Sequence, residues 1–323
     1  MRTIAAADVG GTHARFALAT IDGGVVVDLA EPVTVKTAEF STFQHAWQEF
    51  GRRIEQPLPT ELAIAFAGPV GGEVLKLTNN PWVIRPALME ERLGVERFVI
   101  VNDFAAVAHA VGGLDNSAYR HLCGPQRDLP AKGVVSIVGP GTGLGVASLL
   151  KHGDGHYDVI ATEGGHVDFA PLDPLEDRIL EHLREGFRRV SVERLVSGRG
   201  LLNIYEALGT IENRPYTLRD EKELWAAALS GSDTLAAAAL DRLCLVLGAS
   251  AGDFALAQGA QAVVLGGGLG LRLVDYLPRS GFRDRFIAKG RFERMMDEMP
   301  VKVIIHPQPG LFGAAAAFAS ANR

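Results

Sequence analysis

A chain of 323 residues, 47% hydrophobic and 22% charged, has the makeup of an ordinary globular protein and the length for about two domains, which excludes disorder and fibrous repeats. A formal net charge of -6 excludes nucleic acid or an anionic membrane surface as the main partner. The two cysteines, Cys123 and Cys244, stand far apart with no CxxC, so a disulfide framework or thiolate metal site has no support and a reducing cytoplasm is the expected compartment.

The opening residues carry no basic region followed by an apolar core and a cleavage site, and read at once as strand. Alternating and apolar runs predict strands at 3–9, 13–20 and 24–33, joined by glycine turns into an antiparallel meander. A helix is predicted at 40–54, a buried strand at 62–66, a helix at 86–93 and a strand at 97–101, so this part reads as a mixed sheet with helices. KGVVSIVGPGTGLGVASLL at 132–150 then repeats the opening pattern of apolar strand, Gly/Thr-rich turn and alternating strand. Helical patterns follow at 174–186, 191–197, 201–208 and 221–229. The longest apolar region, 235–273, is interrupted by Asp241, Arg242, Asp253 and several glycines; it reads as a buried helix feeding a strand and the glycine turn AVVLGGGLG rather than as a membrane span. The chain closes with PGLFGAAAAFASANR, a small-residue helix suited to tight packing. Pattern alone places a smaller domain at 1–112 plus 307–323 and a larger one at 113–306.

The stretch DVGGT, with Asp8, Gly10, Gly11 and Thr12, is neither the GxxxxGK[ST] loop nor the GxGxxG fingerprint, and no lysine is near. A plain hairpin explains it as well as a ligand does. Its repetition at Gly139, Gly141, Thr142 and Gly143 points further, because two such turns can aim backbone N–H groups and threonine hydroxyls at a polyphosphate. Phosphate charge would then be met by amides and Mg²⁺, with Asp8 as the metal's acid, through water because Mg²⁺ dehydrates reluctantly. The alternative for Asp8 is a turn cap. Gly266, Gly267 and Gly268 suit either close approach of an adenine ring or a tight strand-to-helix turn.

RFVIVNDFAAVAHAV puts Asn102 and Asp103 where a buried strand ends and a helix starts, the edge at which ligands sit in open α/β sheets. Asn or Asp there is also the commonest helix cap, but capping needs only one of the pair. ATEGGHVDFAP places Glu163 and His166 around two glycines in a segment otherwise fit for burial, and Glu193 follows in VSVERLVSG. Cysteine partners at ligand spacing are missing, so His166 is not read as a metal ligand. A buried, satisfied histidine and a helix N-terminal acid are the plain readings of His166 and Glu193. Together Asn102, Asp103, Glu163, His166 and Glu193 carry acceptors and donors without positive charge, which suits a neutral polyhydroxyl ligand.

Across nearly the whole chain, DVGGTHARFAL, LTNNPW, VNDFAAVAHA, GPGTGLGVA, TEGGHVDFAP, VERLVSGRGL, LGGGLG, SGFRDRF and PGLFGAAA occur in order, and with them the chain resembles bacterial ATP-dependent glucokinases. The resemblance implies an α/β fold of two ribonuclease-H-like (actin-like ATPase) domains with an interdomain cleft. It further implies a cytoplasmic homodimer that uses ATP and Mg²⁺ to phosphorylate glucose at its 6-hydroxyl; because water is a competing acceptor, the cleft is expected to close on the sugar. By position, Asp103 corresponds to the general base. Asn102 and Asp103 would hold hydroxyls near the reacting end, and Glu163, His166 and Glu193 those nearer the anomeric end. Gly10, Gly11, Thr12 and Gly139, Gly141, Thr142, Gly143 match the two phosphate loops, and Gly266, Gly267 and Gly268 the adenosine region. His13 departs from the usual asparagine, Pro140 stands inside the second loop, and the absence of a cysteine-rich zinc motif favours the zinc-free branch. A related repressor would need an N-terminal helix-turn-helix, for which strand sequence from Thr3 leaves no room, and a chaperone ATPase would lack the hydroxyl-binding set. Mannose, fructose and N-acetylmannosamine remain competing substrates, since hydroxyl stereochemistry is not written in one sequence.

Overall fold

Alternation at the start of the chain becomes a hairpin: Arg2–Val9 pairs antiparallel with His13–Asp22, setting Asp8 opposite Arg15 and Val9 opposite Ala14. The structure, a computed structural model, describes residues 1–77 and 80–322; Thr78 and Asn79 of the LTNNPW match, and the terminal Arg323, lie outside them. By its contacts the chain divides into two units, Met1–Asp115 with His156–Ala161 and His306–Arg323, and Asn116–Gly155 with Thr162–Ile305.

In the first unit, the strand expected at 24–33 is two strands. Val25–Leu29 pairs with the far end of His13–Asp22, and Val33–Lys36 pairs with its beginning. Pro32 lies at the break, where it has no N–H to continue a ladder. Arg2–Val9 also pairs in parallel with Glu61–Phe66, which pairs in parallel with Arg97–Asn102. One sheet face receives the helix Phe43–Ile54, whose start is capped by Thr42; Phe16 of the sheet stacks on Phe50 of the helix at 5.3 Å between ring centres. The opposite face is covered by the terminal helix Pro309–Ala321, whose Leu311, Ala315 and Phe318 bury against Ile4, Ala17 and Ala65.

That terminal helix also packs on the helix Asp103–Gly113, and so closely that a Cβ at Gly313 would lie 1.7 Å from the carbonyl oxygen of Ala106. Backbone cannot give way as a side chain can. Gly313→Ala is expected to lower unfolding free energy by about 1–3 kcal/mol, read as a lower urea midpoint; an unchanged midpoint would show that the two helices have room to part.

The second unit repeats the plan. Lys132–Pro140 and Leu144–His152 form a hairpin with Gly139 opposite Gly145. Lys132–Pro140 pairs in parallel with Ala262–Leu265, which pairs in parallel with Val301–Ile304, and Tyr119–Cys123 adds antiparallel to the last. In both units, therefore, the antiparallel second strand lies on one side of the first and two parallel strands on the other, the ribonuclease-H-like order. The internal repeat in the sequence is a repeat of topology.

Thr234–Gln258 is long and apolar enough to cross a membrane by length and composition, yet Leu240, Leu243 and Leu247 are fully buried in the core of the second unit. It packs against Gly200–Ile211 and against Phe282–Ile287; a Cβ at Gly248 would stand 2.1 Å from the Phe282 carbonyl oxygen. The helix expected at 191–197 is one 3-10 turn, Val192–Arg194, because Ser191 bridges to Asp168 and Val192 donates its N–H to the Val167 carbonyl, holding the approach extended. Beside it, helix Pro174–Gly186 starts on Asp173, whose carboxylate accepts the N–H groups of Leu175 and Glu176. Asp173 and the buried Glu176 are bridged by Arg242, at 2.6 and 2.8 Å, and by Arg285.

Candidate active site

In the first unit the turn after Val9 is closed by the Gly10 N–H, which donates to the His13 carbonyl at 3.0 Å. The Gly11 carbonyl is held by the Thr37 hydroxyl at 2.7 Å and the Asn80 amide at 3.1 Å, and the Thr12 carbonyl by the Thr37 N–H. Among the described residues the N–H groups of Gly11 and Thr12 have no protein acceptor. They are the donors this turn can offer, while Gly10 serves the turn itself. Thr37 and Asn80, which brace the loop, carry no local sequence signal that ties them to it, being remote from it along the chain.

Asp8, one residue before the strand ends, meets its cross-strand neighbour Arg15 at 3.2 Å. Burial pushes its carboxyl up, with the Arg15 charge and hydrogen bond opposing. Gly310 at the start of the terminal helix stands so near that a Cβ would fall 2.9 Å from Asp8 Oδ2.

Asn102 and Asp103 divide the labour that the sequence left open. The Asn102 Oδ1 caps the helix, accepting the N–H groups of Phe104 at 2.9 Å and Ala105 at 3.2 Å. Asp103 is thereby spared from capping: its Oδ1 takes only the adjacent Phe104 N–H, at 2.9 Å, and the residue is exposed. Protein packed around its inner side still thins the water near the carboxyl and pushes its pKa up; Asp8's charge adds to the rise, and the Phe104 N–H and Asn102 oppose it.

In the second unit the equivalent turn is closed by the Gly141 N–H, donating to the Gly143 carbonyl at 2.8 Å. The Gly141 carbonyl accepts from Gly198 at 2.8 Å, and the Gly198 carbonyl from the Trp225 indole at 3.2 Å. Thr142 and Gly143 therefore keep the available N–H groups among the described residues, as Gly11 and Thr12 do in the first loop. Gly139 lies in the ladder opposite Gly145, and Pro140 ends the strand opposite Leu144, where no N–H is asked of it. The third glycine turn rests on this one: Gly267, at φ 72°, would place a Cβ 2.4 Å from the Pro140 carbonyl oxygen. Gly266 donates its N–H to Val138 at 2.9 Å, and Gly268 has open space where a side chain would be.

Glu163 precedes, and His166 ends, the single turn Gly164–His166. Burial, expected for this segment, holds for Gly165 and fails for the two polar side chains, 89% and 56% exposed and 4.0 Å apart. The glycines explain it: a Cβ at Gly165 would lie 2.0 Å from the Leu144 carbonyl oxygen, so the turn's backbone lies flat on the hairpin and its flanking side chains point outward. Glu193 is half-buried, and its Oε2 accepts the Leu144 N–H at 2.8 Å. Asp8, Gly10, Gly11, Thr12, Asn102 and Asp103 thus belong to the first unit, and the remaining candidates to the second.

A family model described as Glucokinase matches residues 5–321. The chain belongs to the glucokinase family. It is 61% identical over 317 residues, 98% of each chain, to a glucokinase of Zymomonas mobilis, and 40% identical to one of Xanthomonas campestris across its whole length and 96% of that protein. The crystal structure of a glucokinase from an Antarctic psychrotroph superposes with a TM-score of 0.86 at 31% identity, over 98% of both chains. The fold is accordingly the two-domain, actin-like α/β fold of this family of sugar kinases.

Proposed function

We propose that the protein transfers the γ-phosphoryl group of ATP to the 6-hydroxyl of D-glucose, giving glucose 6-phosphate and ADP. The observation that carries the reading is the carboxylate of Asp103, relieved of capping by Asn102 and raised in pKa. The sugar oxygen attacks the γ-phosphorus, the bridging oxygen leaves with ADP, and the hydroxyl proton passes to Asp103. Asn102, Glu163, His166 and Glu193 take the remaining hydroxyls, and the N–H groups of Gly11, Thr12, Thr142 and Gly143 take phosphate oxygens. The turn at Gly266, Gly267 and Gly268 takes the adenosine.

Among the described residues no three His, Cys, Asp or Glu side chains cluster as a metal site. The donor set fits a largely hydrated Mg²⁺ carried by the phosphates: a single carboxylate, Asp8, with Arg15 on one of its oxygens, would hold it through water. When bound, the ion supplies positive charge to the phosphate oxygens. By likeness to the family, the reaction is the first step of glycolysis, carried out in the cytoplasm by a homodimer.

An ADP-release assay with ATP and a panel of neutral hexoses and amino sugars tests the reading. D-glucose should give the fastest turnover. Water is a competing acceptor at far higher concentration, so ADP release without sugar should be a small fraction of that rate. Equal rates with and without glucose would contradict it, and faster turnover of mannose, fructose or N-acetylmannosamine would reassign the substrate.

A further inference from the structure

We infer that Glu193 is a positioning residue for the second phosphate loop as well as a hexose ligand: its Oε2 holds the loop's exit while its Oε1 is left to the sugar. This rests on the proposed roles of the loop at Gly139, Gly141, Thr142 and Gly143 and of Glu193.

Three contacts carry the inference, all within the second unit. Glu193 Oε2 accepts the N–H of Leu144, the first residue after the loop, at 2.8 Å, and this is the one hydrogen bond its side chain makes among the described residues. Gly143 has no room for a side chain because of that same carboxylate: a Cβ there would lie 2.5 Å from Oε2. The turn bearing Glu163 and His166 leans on the same residue, Gly165 lying against the Leu144 carbonyl oxygen. Leu144 is therefore gripped by its N–H and crowded at its C=O by the two segments proposed to bind hexose, while the two residues before it, Thr142 and Gly143, carry the N–H groups proposed for phosphate.

A negative charge beside a phosphate site is unfavourable by Coulomb's law. If Glu193 served the sugar alone, removing its charge would leave nucleotide binding in the absence of sugar unchanged or tighten it. If it positions the loop, removal weakens that binding, so the two accounts differ in sign.

The test is titration of the non-hydrolysable analogue AMPPNP with Mg²⁺ and no sugar, by calorimetry, on the full-length protein. Glu193→Ala should raise the AMPPNP Kd about tenfold, the loss of a hydrogen bond to a charged group. Glu193→Asp, charged but too short to reach the Leu144 N–H, should do the same. Glu193→Gln keeps an acceptor at the right length and should stay within about threefold of wild type. All three should weaken glucose binding. An unchanged or lower AMPPNP Kd in Glu193→Ala overturns the inference, as does a ranking that follows charge, with Glu193→Asp normal and Glu193→Gln weak. Thermal melts exclude gross unfolding, and Glu193→Gln and Glu193→Asp decide the matter should Glu193→Ala fold poorly. Failure of the loop assignment itself shows separately, as an AMPPNP Kd unaffected by Gly143→Val.

Discussion

Asp103→Asn lowers kcat by about 10²- to 10⁴-fold, the usual contribution of a general base, and weakens glucose binding far less. The substitution is selective because the amide oxygen can still accept the Phe104 N–H that Asp103 Oδ1 accepts at 2.9 Å, and because Asn102, not Asp103, caps the helix. Helix start and backbone are preserved; the basic site is not. The working form is the carboxylate, and loss of water on its protein-facing side, with the charge of Asp8 adding, pushes its pKa above the ordinary 3.8. kcat/KM therefore falls as pH drops through that raised value, and the acid limb of the wild-type profile lies above the range of a free aspartate. In Asp103→Asn the limb should vanish with the rate. Turnover near wild type in the variant would remove Asp103 from the role.

Glu176→Ala is expected to cost about 3–5 kcal/mol of stability, the range for breaking a buried ion pair by deleting one partner, measured as a fall in the urea midpoint. Glu176 is 1% exposed, its Oε1 is shared by Arg242 and Arg285, and its Oε2 takes the Leu172 N–H at 2.7 Å. Its loss leaves two half-buried guanidinium groups sharing Asp173 and an N–H without its acceptor. A cost below about 1 kcal/mol would place the cluster with exposed ion pairs. The same cluster gives a pH dependence. Burial alone would raise the Asp173 carboxyl, but the Glu176 N–H and the two arginines outweigh it and hold the pKa below 3.8. A depressed carboxylate pKa stabilises the fold above the unfolded value, and that stability is lost as pH falls from about 3.8 downward through the folded value. Acid unfolding should begin at higher pH in Asp173→Asn.

Much of this architecture is legible in local pattern. The two Gly/Thr turns announce a repeated hairpin because alternation and glycine are local signals, and the adjacent pair Asn102 and Asp103 implies a spare carboxylate because a cap uses one side chain. What escapes the sequence is decided at a distance. Val301–Ile304 includes Lys302, only 7% exposed, so its polarity hides a central strand that its parallel neighbour Ala262–Leu265 recruits. Tyr119–Cys123 is likewise a strand only through its pairing with Val301–Ile304. The helix expected at 191–197 gives way to the Val192 N–H donating to the Val167 carbonyl, and the side chains of Glu163 and His166, in a segment apolar enough to suggest burial, are turned outward by a glycine that must clear Leu144. At the site, chemistry-bearing side chains are readable, while the residues that brace the glycine turns, Thr37, Asn80, Gly198 and Trp225, become evident only in three dimensions.

The helix Pro309–Ala321 lies at the far end of the chain from the sheet it covers. A polypeptide is made from its N-terminus, and folding during synthesis proceeds in that order. Strands Arg2–Val9 and His13–Asp22 emerge before that helix, and Ile4, Ala17 and Ala65 keep one apolar side uncovered until Leu311 and Phe318 follow them. The helix that bears Asp103 has the same partner, because Gly313 fits against Ala106 with no room for a side chain. Without residues 309–321, that sheet face would lie bare and the helix bearing Asp103 would lose the surface Gly313 fits, while the turns at Gly11 and Gly141 would keep their own braces from Thr37 and Gly198.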